Sequence, residues 1–95
     1  MVAYIIAEAE ITDPAKYEGY KKLTPGAIAA HGGRFVARGG RTEALEGDWR
    51  PKRIVLIEFP SYERAKAFYD SPEYLAARKA REGAATFDLI LVDGV

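Results

Sequence analysis

The chain of 95 residues contains no cysteine, one histidine, one tryptophan and one methionine, and its 14 Lys and Arg cancel its 14 Asp and Glu. Without thiols, disulfide scaffolds, thiolate zinc sites and cysteine nucleophiles are excluded, and the redox compartment is left open. A lone histidine cannot build a paired-histidine zinc site, and the carboxylates lack calcium-loop spacing, so no metal is expected. Zero net charge argues against a nucleic-acid partner, which normally meets a strong basic excess. It also argues against a polybasic membrane surface. A small neutral monomer has little colloidal protection, so neutrality favours a chain that hides surface in an oligomer. The longest early apolar run, Val2 to Ala7, is far too short for a signal-peptide core or a transmembrane helix, and cytoplasm is the expected location. What remains is one ordinary globular domain over residues 1–95 with one modest core.

What is present is periodic. From Val2 to Ile11 the residues alternate: Ala3, Ile5, Ala7, Ala9 and Ile11 make an apolar face, and Val2, Tyr4, Ile6, Glu8 and Glu10 make a face that turns acidic. Asp13 can cap and Pro14 can open a helix reaching to about His31, with Tyr17, Tyr20, Thr24, Ala27, Ile28 and His31 on one side. Pro25-Gly26 predicts a kink or break in it, and Gly32-Gly33 ends it. Arg34 to Arg38 reads as a strand with Phe35 and Ala37 on one side and Arg34, Val36 and Arg38 on the other. Gly39-Gly40 reads as a bulge or bend, because Thr42 to Glu46 is again strand-compatible. After a turn at Gly47 to Pro51, Lys52 to Phe59 is the clearest central strand. Ser61 caps a second helix, Ser71-Pro72 restarts it towards Gly83, and Phe87 to Val92 closes the chain as a strand.

The order β-α-β-β-α-β predicts a ferredoxin-like α+β fold: an open four-stranded antiparallel sheet with the helices on one face. Tyr4, Ile6, Val36, Ile54 and Leu56 would then leave the other face too apolar for water. A second sheet is the simplest cover, which predicts a homodimer through the helix-free sheet face.

Several phrases mark a family. His31-Gly32-Gly33-Arg34-Phe35, Arg38-Gly39-Gly40, Glu46-Gly47-Asp48-Trp49, Arg53-Ile54-Val55, Glu58-Phe59-Pro60-Ser61 and Phe68-Tyr69-Asp70-Ser71-Pro72-Glu73-Tyr74, with Tyr4 and the closing Leu91 to Val95, resemble the bacterial family of domain of unknown function thirteen-thirty. The likeness runs along essentially the whole chain. It implies the dimeric α+β barrel superfamily, whose members include cofactor-independent monooxygenases, muconolactone isomerase-like enzymes and haem-binding peroxidase-like proteins. The family carries no established activity, so the resemblance implies a fold and no named reaction.

Among residues able to do chemistry, Glu8 and Glu58 stand out. With the first and third strands read as parallel central neighbours, the two carboxylates would meet near the dimer seam. Crowding would raise one pKa and make a general acid or base. The alternative is that they pair with Arg34, Arg38 or Arg53 and fix the dimer register. His31 could shuttle protons from the inner face of the first helix, or bond the last helix carbonyls. Residues 34–53 carry a local charge of +3, against −1 before and −2 after, in which Arg38 and Arg53 could clamp a planar anion. The alternative there is a solvated hairpin with intersubunit ion pairs. Trp49, in a turn, either covers a pocket mouth or packs on a partner subunit. Tyr4, Tyr20, Tyr69 and Tyr74 could line a pocket or simply fill the core. Together these predict a small homodimeric protein that binds a small organic molecule, acidic or aromatic. It would process the molecule, if at all, by proton abstraction or oxygenation without a cofactor. A non-catalytic interaction protein is the competing reading.

Overall fold

Small and β-branched residues alternating at the start of the chain make a strand whose odd face packs beneath helices. In the computed structural model, which describes all residues from Met1 to Val95, this is β1 (Ala3–Ile11), with Ala3, Ile5, Ala7 and Ala9 buried. There follow α1 (Pro14–Ala30), β2 (Arg34–Arg38), β3 (Ile54–Phe59), α2 (Tyr62–Asp70), α3 (Pro72–Ala80) and β4 (Ala85–Asp93). The caps are those expected. The Asp13 carboxylate accepts from the Lys16 N–H at 3.1 Å, the Ser61 hydroxyl from Arg64 N–H at 3.1 Å and the Ser71 hydroxyl from Tyr74 N–H at 3.2 Å.

The sheet runs in the order β2-β3-β1-β4, with every neighbouring pair antiparallel. This is the ferredoxin-like arrangement, but β1 and β3 are antiparallel rather than parallel. The reason is topological: α1 returns β2 parallel to β1 with a gap between them, and the reversal from β2 to β3 fills that gap with a strand of opposite sense. Tyr4 therefore lies opposite Glu58, and Glu8 opposite Ile54.

Three local expectations are corrected. Of the kink or break expected at Pro25-Gly26, the break is absent, since α1 runs through Pro25. Pro25 has no N–H for the Lys21 carbonyl, which instead lies 3.5 Å from the Thr24 hydroxyl and 3.4 Å from Arg38 Nη2. In β2 the alternation slips, because a bulge between Phe35 and Ala37 sets Ala37 opposite Leu56 and Arg38 opposite Val55. Phe35 and Arg38 consequently share the helix side, which strict alternation would have denied them. Residues 39–53 form no strand; Ala44 and Leu45 are adjacent and would fall on opposite faces, leaving no apolar side to bury.

The core lies between the helices and the odd-numbered face of the sheet, where Phe59, Phe68 and Tyr74 are fully buried. On the other face Ile90 is 61% exposed and Val92 42%. No helix is long and apolar enough to cross a membrane.

Candidate functional site

The small side chain of Ala7 in β1 leaves room under the aromatic stripe of α1. A cavity of about 30 Å³ results, walled by Tyr17, Tyr20, Phe35, Phe68, Tyr74 and Phe87 and floored by Ala7, Val55 and Ile57. That holds about two water molecules, against roughly 300 Å³ for an ordinary small-molecule pocket. Three cations line it: Lys21 from α1, Arg38 from the bulged end of β2 and Arg53 from the entry to β3. The ladder extends past β3, with Ala9 N–H donating to the Arg53 carbonyl at 2.9 Å, so the Arg53 backbone is held to β1. Gly39 sits at φ +70°, and a Cβ there would come 2.1 Å from Arg53 Nη1. Only glycine lets the chain turn away from β2 and leave that guanidinium its place.

The donors and acceptors around the cavity are unbalanced. Neither Arg38 nor Arg53 has a carboxylate partner, and the buried Nε of Arg53 donates to nothing. Burial pushes the Tyr17 phenol above its ordinary value, opposed in part by the Arg53 guanidinium beside it. Burial, and then the adjoining Tyr74 hydroxyl, push the Tyr20 phenol up much further. Both phenols are therefore protonated at neutral pH. One of the Tyr20 and Tyr74 hydroxyls donates to the other at 2.7 Å, which leaves one O–H to give. No carboxylate lines the cavity. A site that offers N–H and O–H donors and aromatic walls suits an acceptor-rich, planar anion.

The other residues singled out in the sequence lie elsewhere. Glu8 and Glu58 are four residues apart along the paired strands, about 13 Å, so they do not form the expected pair. Glu58 accepts from Arg34 Nε at 3.2 Å, and Glu8 from the indole N–H of Trp49 at 3.2 Å. Both belong to the helix-free side, as does Tyr4, and Trp49 is 63% exposed there. His31 caps α1, its Nδ1 lying 3.1 Å from the Ala27 carbonyl, and is absent from the cavity wall. Tyr69 accepts a hydrogen bond from Arg78 Nη1 at 2.6 Å and faces a separate surface cleft with Lys66. Of the expected site residues, then, the cavity brings together Arg38, Arg53 and Tyr74, along with Tyr20. Tyr17 and Phe87 were missed as site residues. Tyr17 shares its helical face with Tyr20 and Thr24 at three- and four-residue spacing, a signal that reads equally as core. No three His, Asp or Glu side chains gather to hold a metal ion.

The family described as Domain of unknown function (DUF1330) matches residues 2–95. The chain belongs to that family. This DUF1330 protein is similar in structure to a protein of unknown function from Rhodopseudomonas palustris, at 20% identity and TM-score 0.76 over 99% of this chain and 82% of that one. It is also similar to a dimeric ferredoxin-like protein of unknown function from Jannaschia sp. CCS1, at 10% identity and TM-score 0.70 over 99% and 100% of the two chains. A third likeness is to SnoaB, a cofactor-independent oxygenase from Streptomyces nogalater, at 14% identity and TM-score 0.66 over 99% and 93%. No curated protein matches the DUF1330 chain in sequence.

Proposed function

We propose that the protein binds a small aromatic acid, with the ligand's carboxylate held by Arg38 and Arg53 at the helix–sheet cavity. The observation that carries this reading is the pair of guanidinium groups without carboxylate partners beside an aromatic wall. Arg53 is half-buried and its Nε has no acceptor, so an anion arriving there meets an unmet donor with the exposed Arg38 beside it. About 30 Å³ matches a carboxylate head, so the ligand's body extends outward from the cavity.

The assembly in this reading is a homodimer through the helix-free face, in keeping with the dimeric state of the Jannaschia protein. Trp49, tied to Glu8, then lies at the seam, and Glu58 with Arg34 sets register there. These two hydrogen-bonded partnerships favour a structural role for both glutamates over an acid–base one. Oxygenation without a cofactor rests on the fold shared with SnoaB, an argument by analogy, and the cavity itself supports binding.

The test is calorimetric titration with benzoate and with uncharged benzamide. Benzoate binds and benzamide does not, and Arg53→Ala abolishes benzoate binding while the chain stays folded by circular dichroism. At 100 times the dissociation constant benzoate adds about 2.7 kcal/mol of stability, an easily read thermal shift. Equal binding of the two probes, or undiminished binding by Arg53→Ala, sinks the proposal.

A further inference from the structure

We propose that Pro25 is a positioning residue for the anion site: by lacking an N–H, it frees the Lys21 carbonyl to hold the Arg38 guanidinium at the cavity mouth. In an unbroken helix the N–H of residue 25 would bond the carbonyl of residue 21. Here α1 runs through position 25 with a residue that has no N–H to give, at a place where proline is among the most destabilising of residues. Residue 21 is where the Arg38 side chain from the end of β2 reaches the helix. The bulge in β2 turns Arg38 onto the helix side, and Arg38 Nη2 donates to the Lys21 carbonyl at 3.4 Å. The same guanidinium lies over the Phe35 ring, 4.3 Å from its centroid. The Thr24 hydroxyl, 3.5 Å from the same carbonyl, shares it from within the helix. Arg38 is thus oriented by an aromatic face and a helix carbonyl, neither of which neutralises its charge. Its charge remains available to a ligand while its freedom is reduced, the condition for tight anion binding.

The inference rests on the proposed role of Arg38 as an anion clamp, and the test separates the two. Pro25→Ala restores an N–H that competes for the Lys21 carbonyl and suits the helix better. Its melting temperature stays level or rises, yet its benzoate dissociation constant rises about fivefold or more, since fewer molecules hold Arg38 in place. In an Arg38→Ala background the same substitution changes benzoate binding by less than about twofold, because no guanidinium is left to position. Nitrogen-15 NMR of the Arg38 guanidinium, without ligand, reads the tether directly: rotation about the Cζ–Nη bonds is slow in the wild type and fast in Pro25→Ala. Equal rotation in both proteins overturns the positioning role, as does Pro25→Ala binding benzoate as tightly as wild type. Slow rotation lost in the variant, together with benzoate binding that ignores Arg38→Ala, upholds the tether and refutes the anion clamp.

Discussion

Individual side chains in the cavity are set by what burial does to a polar atom. The hydroxyl of Tyr20 is 2.7 Å from that of Tyr74, and burial raises its pKa far beyond the ordinary 10.0. An acid whose folded pKa lies above its unfolded value keeps its proton when the unfolded chain has released it. The stabilisation it gives is complete below pH 10 and declines as pH rises beyond. The slope is about 1.4 kcal/mol per pH unit for each phenol so held. Tyr20→Phe strands the Tyr74 hydroxyl and costs roughly 1 kcal/mol at pH 8, but the variant loses less stability on going to about pH 11. Urea denaturation at the two pH values checks this: the gap between wild type and variant narrows at high pH. A gap that stays constant or widens contradicts the assignment. These phenols were visible in the sequence as a helical stripe, yet their pairing was not. Periodicity places Tyr20 on the inner face but says nothing of Tyr74, which arrives from another helix.

Elements were legible wherever a capping residue and a period agreed. Asp13-Pro14, Ser61 and Ser71-Pro72 each start a helix as their side chains predict, and the odd face of β1 is the buried one. Where two periods fit equally, the sequence misled. The run Arg34-Phe35-Val36-Ala37-Arg38 alternates plausibly as an ordinary strand, and nothing local announces the bulge that moves Arg38 to the helix side. The bulge is fixed by pairing with β3, a long-range matter. For the same reason the sense of β1 against β3 was misread, and with it the meeting of Glu8 and Glu58. Ser71 shows how much one residue can carry at a junction. It ends α2 and begins α3, donating its hydroxyl to the Phe68 carbonyl at 2.7 Å while accepting from Tyr74 N–H at 3.2 Å. Being buried, neither group has water to fall back on. Ser71→Ala is expected to cost about 2 kcal/mol, from the lost cap and the stranded Tyr74 N–H, since the Phe68 carbonyl keeps the backbone N–H of residue 71. Chemical denaturation measures it, and a loss below about 0.5 kcal/mol would show the junction to be held by packing alone.

At the scale of the whole molecule the two sheet faces differ in kind. One is sealed by three helices; the other carries Tyr4, Ile6, Leu56, Ile90 and Val92 with no cover from its own chain. The end of the basic segment 34–53 already lies beside the acidic ends of β1 and β4 within one protomer, where Lys52 shares a cleft with Glu8, Glu10 and Asp88 and Trp49 bonds Glu8. Ile90, opposite Ile6 in the β1–β4 ladder and 61% exposed, is the discriminating position. In a lone protomer Ile90→Asp exchanges one exposed side chain for another and changes stability by no more than about 1 kcal/mol. In a homodimer joined through this face it would bury two carboxylates without partners, a cost of several kcal/mol per dimer. Sedimentation equilibrium at micromolar concentration therefore finds wild type at twice the chain mass and Ile90→Asp at the chain mass, with circular dichroism unchanged. Wild type sedimenting as a monomer, or the variant as a dimer, removes this face as the joint. The benzoate titration repeated on the monomeric variant then locates the ligand: the cavity lies wholly within one protomer, so binding persists with an unchanged requirement for Arg53.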